Sequence, residues 1–170
     1  MHNITLSPLA ETDAYDIVHY MRDEEISLYT KRIPFPYSYA DAKRWLEGNR
    51  TYEEEYRIHR NYAIRDEGGR MLGCIGIHFS EGIGAEKSEF GYWLGKPHWN
   101  KGIMTQAIAL FCELAKEKFK MKTLVAHVFA FNIPSQRALL KSGFIQTAFL
   151  PAWYKKDDRI IDALKFVRDL

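Results

Sequence analysis

Residues 98–105 read HWNKGIMT and lie between a strand-like segment, EFGYWLG (89–95), and a periodic apolar stretch, MTQAIALFCELAKEKF (104–119). A glycine permits backbone angles and close approaches that other residues resist, and the first turn of a helix carries unpaired N–H groups with partial positive charge. Such a corner is suited to holding a phosphate. A plain strand-to-helix turn explains the same letters, so both interpretations stay open on this stretch alone.

Two familiar phosphate-binding loops are excluded by spacing. A Walker loop needs four residues between its first glycine and Gly-Lys, whereas three separate Gly91 from Gly95, and Pro97 follows the lysine. A dinucleotide fingerprint needs the glycine triplet G-x-G-x-x-G at a strand-to-helix turn, and the sequence has none. What remains is a turn in which the backbone amides of residues 100–105 point at one pyrophosphate and Lys101 adds positive charge.

The length and composition limit the class of protein. A chain of 170 residues with 46% hydrophobic residues predicts one compact domain over residues 1–170. The net charge of +2, with no dense stripe of lysine and arginine, argues against nucleic acid as a partner. No long apolar run and no secretion signal are present in the sequence, so no membrane association and a cytoplasmic location are expected.

Cysteine and histidine usage gives no support to a metal site. Cys74 and Cys112 each lie inside an apolar segment, which predicts two buried thiols and no disulfide. The histidines are scattered without a helical pair: His2, His19, His59, His78, His98 and His127. We therefore expect no metal cofactor.

Hydrophobic periodicity and breaker residues predict the order β-α-α-β-β-β-α-β-α-β-β. The segment DEGGR predicts a hairpin turn, and the glycine of KSG closes the last helix. The predicted strands are 4–9, 57–65, 71–79, 87–95, 122–131, 144–150 and 160–167, and the predicted helices lie within 12–23, 31–49, 104–119 and 132–143.

Three segments together resemble a known family. The order GYWLG (91–95), WNKGIMT (99–105) and FNIPSQRALLKSGF (131–144) is similar to the GNAT superfamily of acyl-coenzyme A dependent N-acetyltransferases. The nearest likeness is to the branch that includes the ribosomal-protein N-terminal alanine and serine acetyltransferases. The strong part covers about residues 88–145. The departures from the family pattern are Trp99 and Met104 at the ends of the loop, and Ser7, Gln106 and Leu140 where arginine or glutamate is common.

The resemblance implies an α/β (α+β) fold: a mixed, mostly antiparallel central sheet of about seven strands, splayed at the middle and flanked by about four helices. Acetyl-CoA would lie in the V-shaped gap, with its pantetheine arm along residues 92–94 and its pyrophosphate on the turn 99–105. Arg137 or Lys141 would approach the adenosine phosphates, unless they simply form a solvated helix face. The expected cofactor-binding residues are Trp93, Leu94, Trp99, Asn100, Lys101, Gly102, Ile103, Met104, Thr105, Asn132, Ser135 and Arg137.

Acetyl transfer needs an unprotonated amine and a proton for the leaving thiolate. The resemblance makes Glu89 the candidate base, with a solvated strand-end residue as the alternative. Ser135 would position the thiol or return a proton to it, and the alternative is a helix cap. Tyr154 is a reserve acid. His127 points either into the substrate gap or into a packed environment.

The acceptor side is less defined by the sequence. By resemblance, PFPYSY (34–39) and AWYKKDDR (152–159) would border the acceptor site, and otherwise they pack the rim of the domain. The expected reaction is transfer of an acetyl group from acetyl-CoA to a primary amine by direct attack, with a protein N-terminal amine as one acceptor. A catalytically silent CoA-binding or regulatory domain is the alternative, and a monomer and a homodimer are both open.

Overall fold

The structure is a computed structural model that describes residues 3–170. Seven strands and five α-helices lie in this part of the chain, with a short 3-10 helix, Lys96–His98. The strands are β1 (Thr5–Pro8), β2 (Asn61–Arg65), β3 (Met71–Ile77), β4 (Lys87–Leu94), β5 (Thr123–Phe129), β6 (Ile145–Lys156) and β7 (Arg159–Asp169). The helices are α1 (Asp13–Met21), α2 (Glu24–Leu28), α3 (Tyr39–Tyr56), α4 (Ile103–Phe119) and α5 (Ile133–Lys141).

The strands form one sheet in the order β1-β2-β3-β4-β5-β7-β6. The pairs β1–β2, β2–β3, β5–β7 and β6–β7 are antiparallel, and β4–β5 is parallel, which confirms the predicted mixed, mostly antiparallel sheet. The parallel ladder pairs Lys87–Glu89 with Thr123–Val125, while β5 continues to Phe129. This short ladder ends at Glu89, before residues 92–94, where the family resemblance implies that the sheet opens.

The helix α2 is absent from the predicted element order. It has five residues, and the side chain of Asp23 caps it by accepting from the N–H of Glu25. A helix this short carries too few periodic positions to stand out from a loop. The helix α3 begins with a capping box formed by Ser38 and Asp41 and continues beyond the predicted segment to Tyr56.

The first of two compact units comprises Met1–Gly76 and Tyr92–Ile103. Its core joins one face of α1 and α3 to β2 and β3, with Ala14, Ile17, Ala42, Ala63 and Cys74 almost fully buried. Trp93 and Trp99 are partly buried against the same core.

A buried ion pair fixes α1 to β2 within this unit. The Asp13 carboxylate accepts from Arg65 Nη1 at 2.7 Å and from Nη2 at 2.9 Å, and Arg65 Nε donates to Ser7 Oγ at 2.6 Å. The side chains of Asp13 and Arg65 are only 4% and 16% exposed. Ser7, one of the departures from the family pattern, is thus a partner of this pair.

The second unit comprises Ile77–Gly91 and Met104–Leu170. The ring of Phe90 stacks on Phe111 at 5.8 Å between centroids and lies 5.3 Å from Phe144. The helix α4 buries Ala107, Ile108, Phe111, Cys112 and Ala115, so the predicted apolar stripe is confirmed.

The two cysteines and the apolar character of the helices complete the description of the fold. Cys74 and Cys112 are both buried free thiols, as predicted. Among the helices of residues 3–170, none combines the length and the apolar character needed to cross a bilayer.

Candidate active site

The turn that enters α4 contains two residues in the left-handed backbone region. Asn100 has φ 58° and Gly102 has φ 76°, both in the left-handed region that asparagine and glycine tolerate best. A Cβ added to Gly102 would have no protein atom within 4 Å, so the space beside this glycine is open. The helix α4 begins at the next residue, Ile103.

The same turn presents a row of main-chain donors. Among the backbone bonds seen outside helices and strands in residues 3–170, none is donated by the N–H of Asn100, Lys101 or Gly102. The first amides of α4 have no acceptor within the helix and carry its positive dipole end. Lys101 is exposed beside them, and no carboxylate lies in residues 99–105. This donor set fits a diphosphate such as that of coenzyme A.

Trp99 supports the turn with its side chain. Its indole Nε1 donates to the carbonyl oxygen of Leu94 at 2.7 Å, and its ring meets Tyr29 edge-on at 5.8 Å between centroids. The sequence predicts Trp99 as a cofactor-binding residue. Its backbone N–H donates to the carbonyl oxygen of Lys96 at 3.1 Å, so Trp99 supports the turn and the open amides begin at Asn100.

Trp93 and Leu94 are likewise packed through their side chains. Leu94 is buried, and Trp93 lies against the core of the first unit with its ring 6.4 Å from that of Tyr20. A Cβ on Gly73 would collide with the backbone of both residues, so β3 passes directly against them. The carbonyl oxygen of Trp93 faces β3 and that of Leu94 accepts from Trp99, so both residues are held by contacts within the protein.

The second unit brings Glu89 and His127 together. Glu89 ends the ladder between β4 and β5, opposite Val125, and His127 lies two residues further along β5 on the same face. Nδ1 of His127 is 3.2 Å from Oε1 of Glu89, and their side chains are 13% and 31% exposed. Nδ1 makes no aligned hydrogen bond to any of residues 3–170, so the two side chains are close without being hydrogen-bonded through this atom.

Trp153 lies next to this pair. Its ring is 5.5 Å from that of His127 at an interplanar angle of 31°, and the side chain is half exposed. The β6–β7 ladder is irregular between Leu150 and Tyr154, and Ala152 has φ 50°. The carboxylate of Asp162 fixes this bulge by accepting from the N–H of Ala152 at 2.8 Å. Bulges commonly redirect a side chain in this way.

The start of α5 corrects one expectation. The alternative role given to Ser135 was a helix cap, but the cap is Asn132, whose Oδ1 accepts from the N–H of Ser135 at 3.2 Å. Asn132 reaches its side chain over the first turn of α5, and Ser135 takes part in this cap through its backbone N–H. Arg137 and Lys141 are exposed on the same helix.

Tyr154, the reserve acid, is buried. It is 8% exposed and meets Phe129 edge-on at 5.3 Å between centroids, within a cluster that also contains Ile161 and Ala163.

The pairing of Glu89 with His127 was missed by sequence reasoning, which considered each residue alone. The signal that finds it is the register Glu89↔Val125 of a parallel ladder, which no local pattern encodes. Among residues 3–170, no group of three or more histidine, cysteine, aspartate or glutamate side chains is placed to hold a metal ion. His2 lies outside the described residues.

Comparison with known sequences identifies the family. The sequence model of the acetyltransferase (GNAT) domain matches residues 3–145. The chain is 30% identical to a probable N-acetyltransferase, YjcK, of Bacillus subtilis over 83% of this chain and 80% of that protein. It is 24% identical to the N-acetyltransferase p20 of Bacillus licheniformis over 96% of this chain and 90% of that protein. A ribosomal-protein-serine acetyltransferase of Escherichia coli is 26% identical over 65% of this chain and 60% of that protein.

Solved structures share the fold. A GNAT family acetyltransferase from Bacillus anthracis superposes with a TM-score of 0.84 at 16% identity, covering 99% of this chain and 96% of that one. The microcin C7 self immunity acetyltransferase MccE, solved with acetyl-CoA and AMP, gives a TM-score of 0.83 at 19% identity over 98% and 92% of the two chains. The chain therefore belongs to the GNAT family of acetyltransferases, enzymes that use acetyl-CoA as cosubstrate.

Proposed function

We propose that this acetyltransferase moves the acetyl group of acetyl-CoA onto a primary amine by direct attack, and that its acceptor is a protein or peptide N-terminal amine. The observation that carries the proposal is the row of open amides from Asn100 to Ile103, held in the left-handed conformation at Asn100 and Gly102. A row of N–H donors at the positive end of a helix is a built anion site.

Acetyl-CoA supplies a thioester carbonyl carbon and a thiol leaving group. In the proposal, the amides of residues 100–105 bind its diphosphate and Lys101 adds charge from the exposed side of the turn. The strand at residues 92–94 pairs with the pantetheine arm through its main chain, and the side chains of Trp93 and Leu94 hold this strand in place by packing into the protein. Arg137, exposed on α5, binds the adenosine phosphates.

Glu89 is the proposed base. An ammonium group has no lone pair, so the enzyme must accept a proton before the nitrogen attacks. A carboxylate that is partly exposed, with an imidazole 3.2 Å away, can receive that proton directly or through water. His127 is the less exposed member of the pair and limits the positions that the Glu89 side chain can take.

The proton donor to the leaving thiolate is assigned to Ser135, with Tyr154 as the second candidate. Ser135 lies in the first turn of α5, where the positive end of the helix dipole favours a developing anion. Tyr154 is the more buried of the two, and its phenol is a stronger acid than an aliphatic hydroxyl. Ser135→Ala and Tyr154→Phe separate the two assignments by their effect on kcat.

The acceptor class is supported by the similarity to a ribosomal-protein-serine acetyltransferase and by the surroundings of Glu89. Glu89 and the half-exposed indole of Trp153 both lie next to His127, and they provide an anion and an aromatic face for a cationic amine. Neither feature selects a particular polypeptide.

The test is turnover with acetyl-CoA and a panel of amines, followed by release of free thiol. The panel contains short peptides with free N-termini, the same peptides with blocked N-termini and a free lysine side chain, and small polyamines. Acetylation at the α-amino group, located by mass spectrometry, supports the proposal. Turnover only with polyamines or lysine side chains contradicts the acceptor class, and tight coenzyme A binding without turnover supports the silent-domain alternative.

A further inference from the structure

Tyr20 lies in the last turn of α1 and contacts the turn that leads to the amide row. Gly95, the residue that it contacts there, is 75 positions further along the sequence. Its hydroxyl lies 3.1 Å from the carbonyl oxygen of Met71 and 3.0 Å from Nε2 of His98. Tyr20 is 3% exposed, and burial raises the pKa of its hydroxyl, which therefore stays protonated and donates to Met71.

The ring of Tyr20 lies directly against Gly95. A Cβ added to Gly95 would be 2.6 Å from Cε1 and 2.8 Å from Cγ of that ring, so the contact requires a residue without a side chain. On its other side, the N–H of Gly95 donates to the carbonyl oxygen of Leu72 at 2.8 Å. The backbone at the start of the turn is therefore held between a strand and an aromatic ring.

Two more contacts connect the same part of the chain to the turn. Lys96 forms an ion pair with Asp23 at 3.3 Å and a second one with Glu25. Tyr29 meets the ring of Trp99 edge-on at 5.8 Å. Residues 20–29, which we call the α1–α2 segment, thus touch the turn at positions 95, 96, 98 and 99.

We propose that the α1–α2 segment sets the orientation of the amide row and that Tyr20 is a positioning residue for acetyl-CoA. The proposal rests on the proposed function, in which that row binds the diphosphate. Hydrogen bonds from N–H groups weaken steeply as they lose alignment, and displacing a bound substrate by one ångström has a large effect on rate. Asn100 and Gly102 directly follow the contacted positions 95, 96, 98 and 99, so the placement of those positions sets where the left-handed turn and its amides lie.

The test is Tyr20→Phe, which keeps the ring on Gly95 and removes the hydroxyl. Loss of one buried hydrogen bond to the turn predicts about a fivefold rise in the KM for acetyl-CoA and in the Kd for coenzyme A. The kcat and the KM for the amine stay within about twofold, because the group acts on the donor side only. The matched control is Tyr62→Phe, a buried tyrosine on β2 opposite Ile75, which leaves both constants unchanged.

A second variant covers the case in which Tyr20→Phe fails to fold. His98→Ala removes the other partner of the hydroxyl from a half-buried position and predicts the same rise in the Kd for coenzyme A. Folded variants that bind coenzyme A as tightly as the wild type overturn the inference. A fall in kcat with equal changes in both KM values points to a structural role only and also overturns it.

Failure of this inference is distinguishable from failure of the proposed function. If the wild type does not bind coenzyme A in a calorimetric titration, the amide row is not a diphosphate site and both proposals fail. If Gly102→Ala weakens binding and Tyr20→Phe and His98→Ala do not, the row binds the diphosphate without the support of the α1–α2 segment.

Discussion

Nδ1 of His127 lies 3.2 Å from Oε1 of Glu89, and the two residues come from neighbouring parallel strands. The pair combines a potential proton acceptor with a group that can carry positive charge. Its position on β4 and β5 holds both side chains on backbone that is fixed by the sheet.

Replacing Glu89 by glutamine should lower kcat by about 100-fold, because a positioned base contributes 10²–10⁴-fold to a proton-transfer step. If Glu89 is the base, the pH dependence of kcat should differ between the wild type and Glu89→Gln. The amount of free thiol released in fixed reaction times, measured across the pH range, gives both kcat and its pH dependence. Glu86→Gln, an exposed neighbour that pairs with Lys122, is the control and should stay within about twofold. An unchanged pH profile in Glu89→Gln would remove Glu89 from the role of base.

Gly102→Ala should weaken coenzyme A binding by about tenfold, because its Cβ enters the space that the ligand needs. No protein atom lies within 4 Å of that Cβ, so the only cost to the fold is backbone strain at φ 76°. Gly69→Ala is a matched control with φ 80° and equally open space, on the β2–β3 hairpin. The two variants should lose similar thermal stability, and only Gly102→Ala should change the Kd measured by calorimetry. Equal affinities would show that the turn does not contact the ligand.

Trp153→Ala should raise the KM for the amine several-fold and leave the KM for acetyl-CoA unchanged. The indole ring lies beside His127 on a bulge fixed by Asp162, and in the proposed function it provides an aromatic surface for the amine. Phe149→Ala removes another exposed aromatic side chain from β6 and serves as the control. Steady-state kinetics with the amine and acetyl-CoA varied in turn give the two KM values. A rise in the KM for acetyl-CoA alone would contradict the placement of Trp153 near the amine.

Asp13→Asn should reduce the free energy of unfolding by about 3 kcal/mol, because it leaves the buried guanidinium of Arg65 without its charge partner. Urea denaturation measures the change. The comparison is Glu11→Gln, which breaks an ion pair with Arg50 whose side chains are 86% and 58% exposed. That variant should keep the wild-type midpoint, since exposed pairs contribute little. Similar losses in both variants would mean that burial does not govern the strength of the Asp13–Arg65 pair.

The two thiols should be almost unreactive in the native protein. Burial raises the pKa of Cys74 to about 12, and it also raises the pKa of Cys112. The thiolate is the reactive form, so a raised pKa lowers the labelling rate at every pH below it. A disulfide reagent at pH 8 should titrate both thiols only after denaturation. Fast labelling of native protein would contradict the burial and would also add background to the thiol-release assay.

Most elements of the fold could be predicted because their patterns are local. The stripe on α4, the DEGGR hairpin turn and the glycine that follows α5 each carry their signal within a few residues. The helix α2 was missed because five residues between α1 and the proline-containing linker show no period. The cap of α5 was assigned to Ser135 as an alternative, whereas the geometry uses Asn132, and both residue types are good caps.

The parts of the site that depend on strand register could not be predicted. The turn 99–105 is continuous in sequence, so its glycine and its amides were recognisable. Glu89 and His127 meet only because Glu89 is opposite Val125 in a parallel ladder, and Tyr20 reaches His98 across 78 positions. Contacts of this kind arise from packing between distant segments and leave no trace in local periodicity.

The close contact between the ring of Tyr20 and Gly95 limits which amino acids can occupy these two positions. Any side chain at position 95 would occupy the volume of the aromatic ring, so a relative with alanine there must carry a smaller residue at position 20. The two sites should therefore vary as a pair among distant members of the family. In an engineered chain, an exchange at either one would need a compensating exchange at the other.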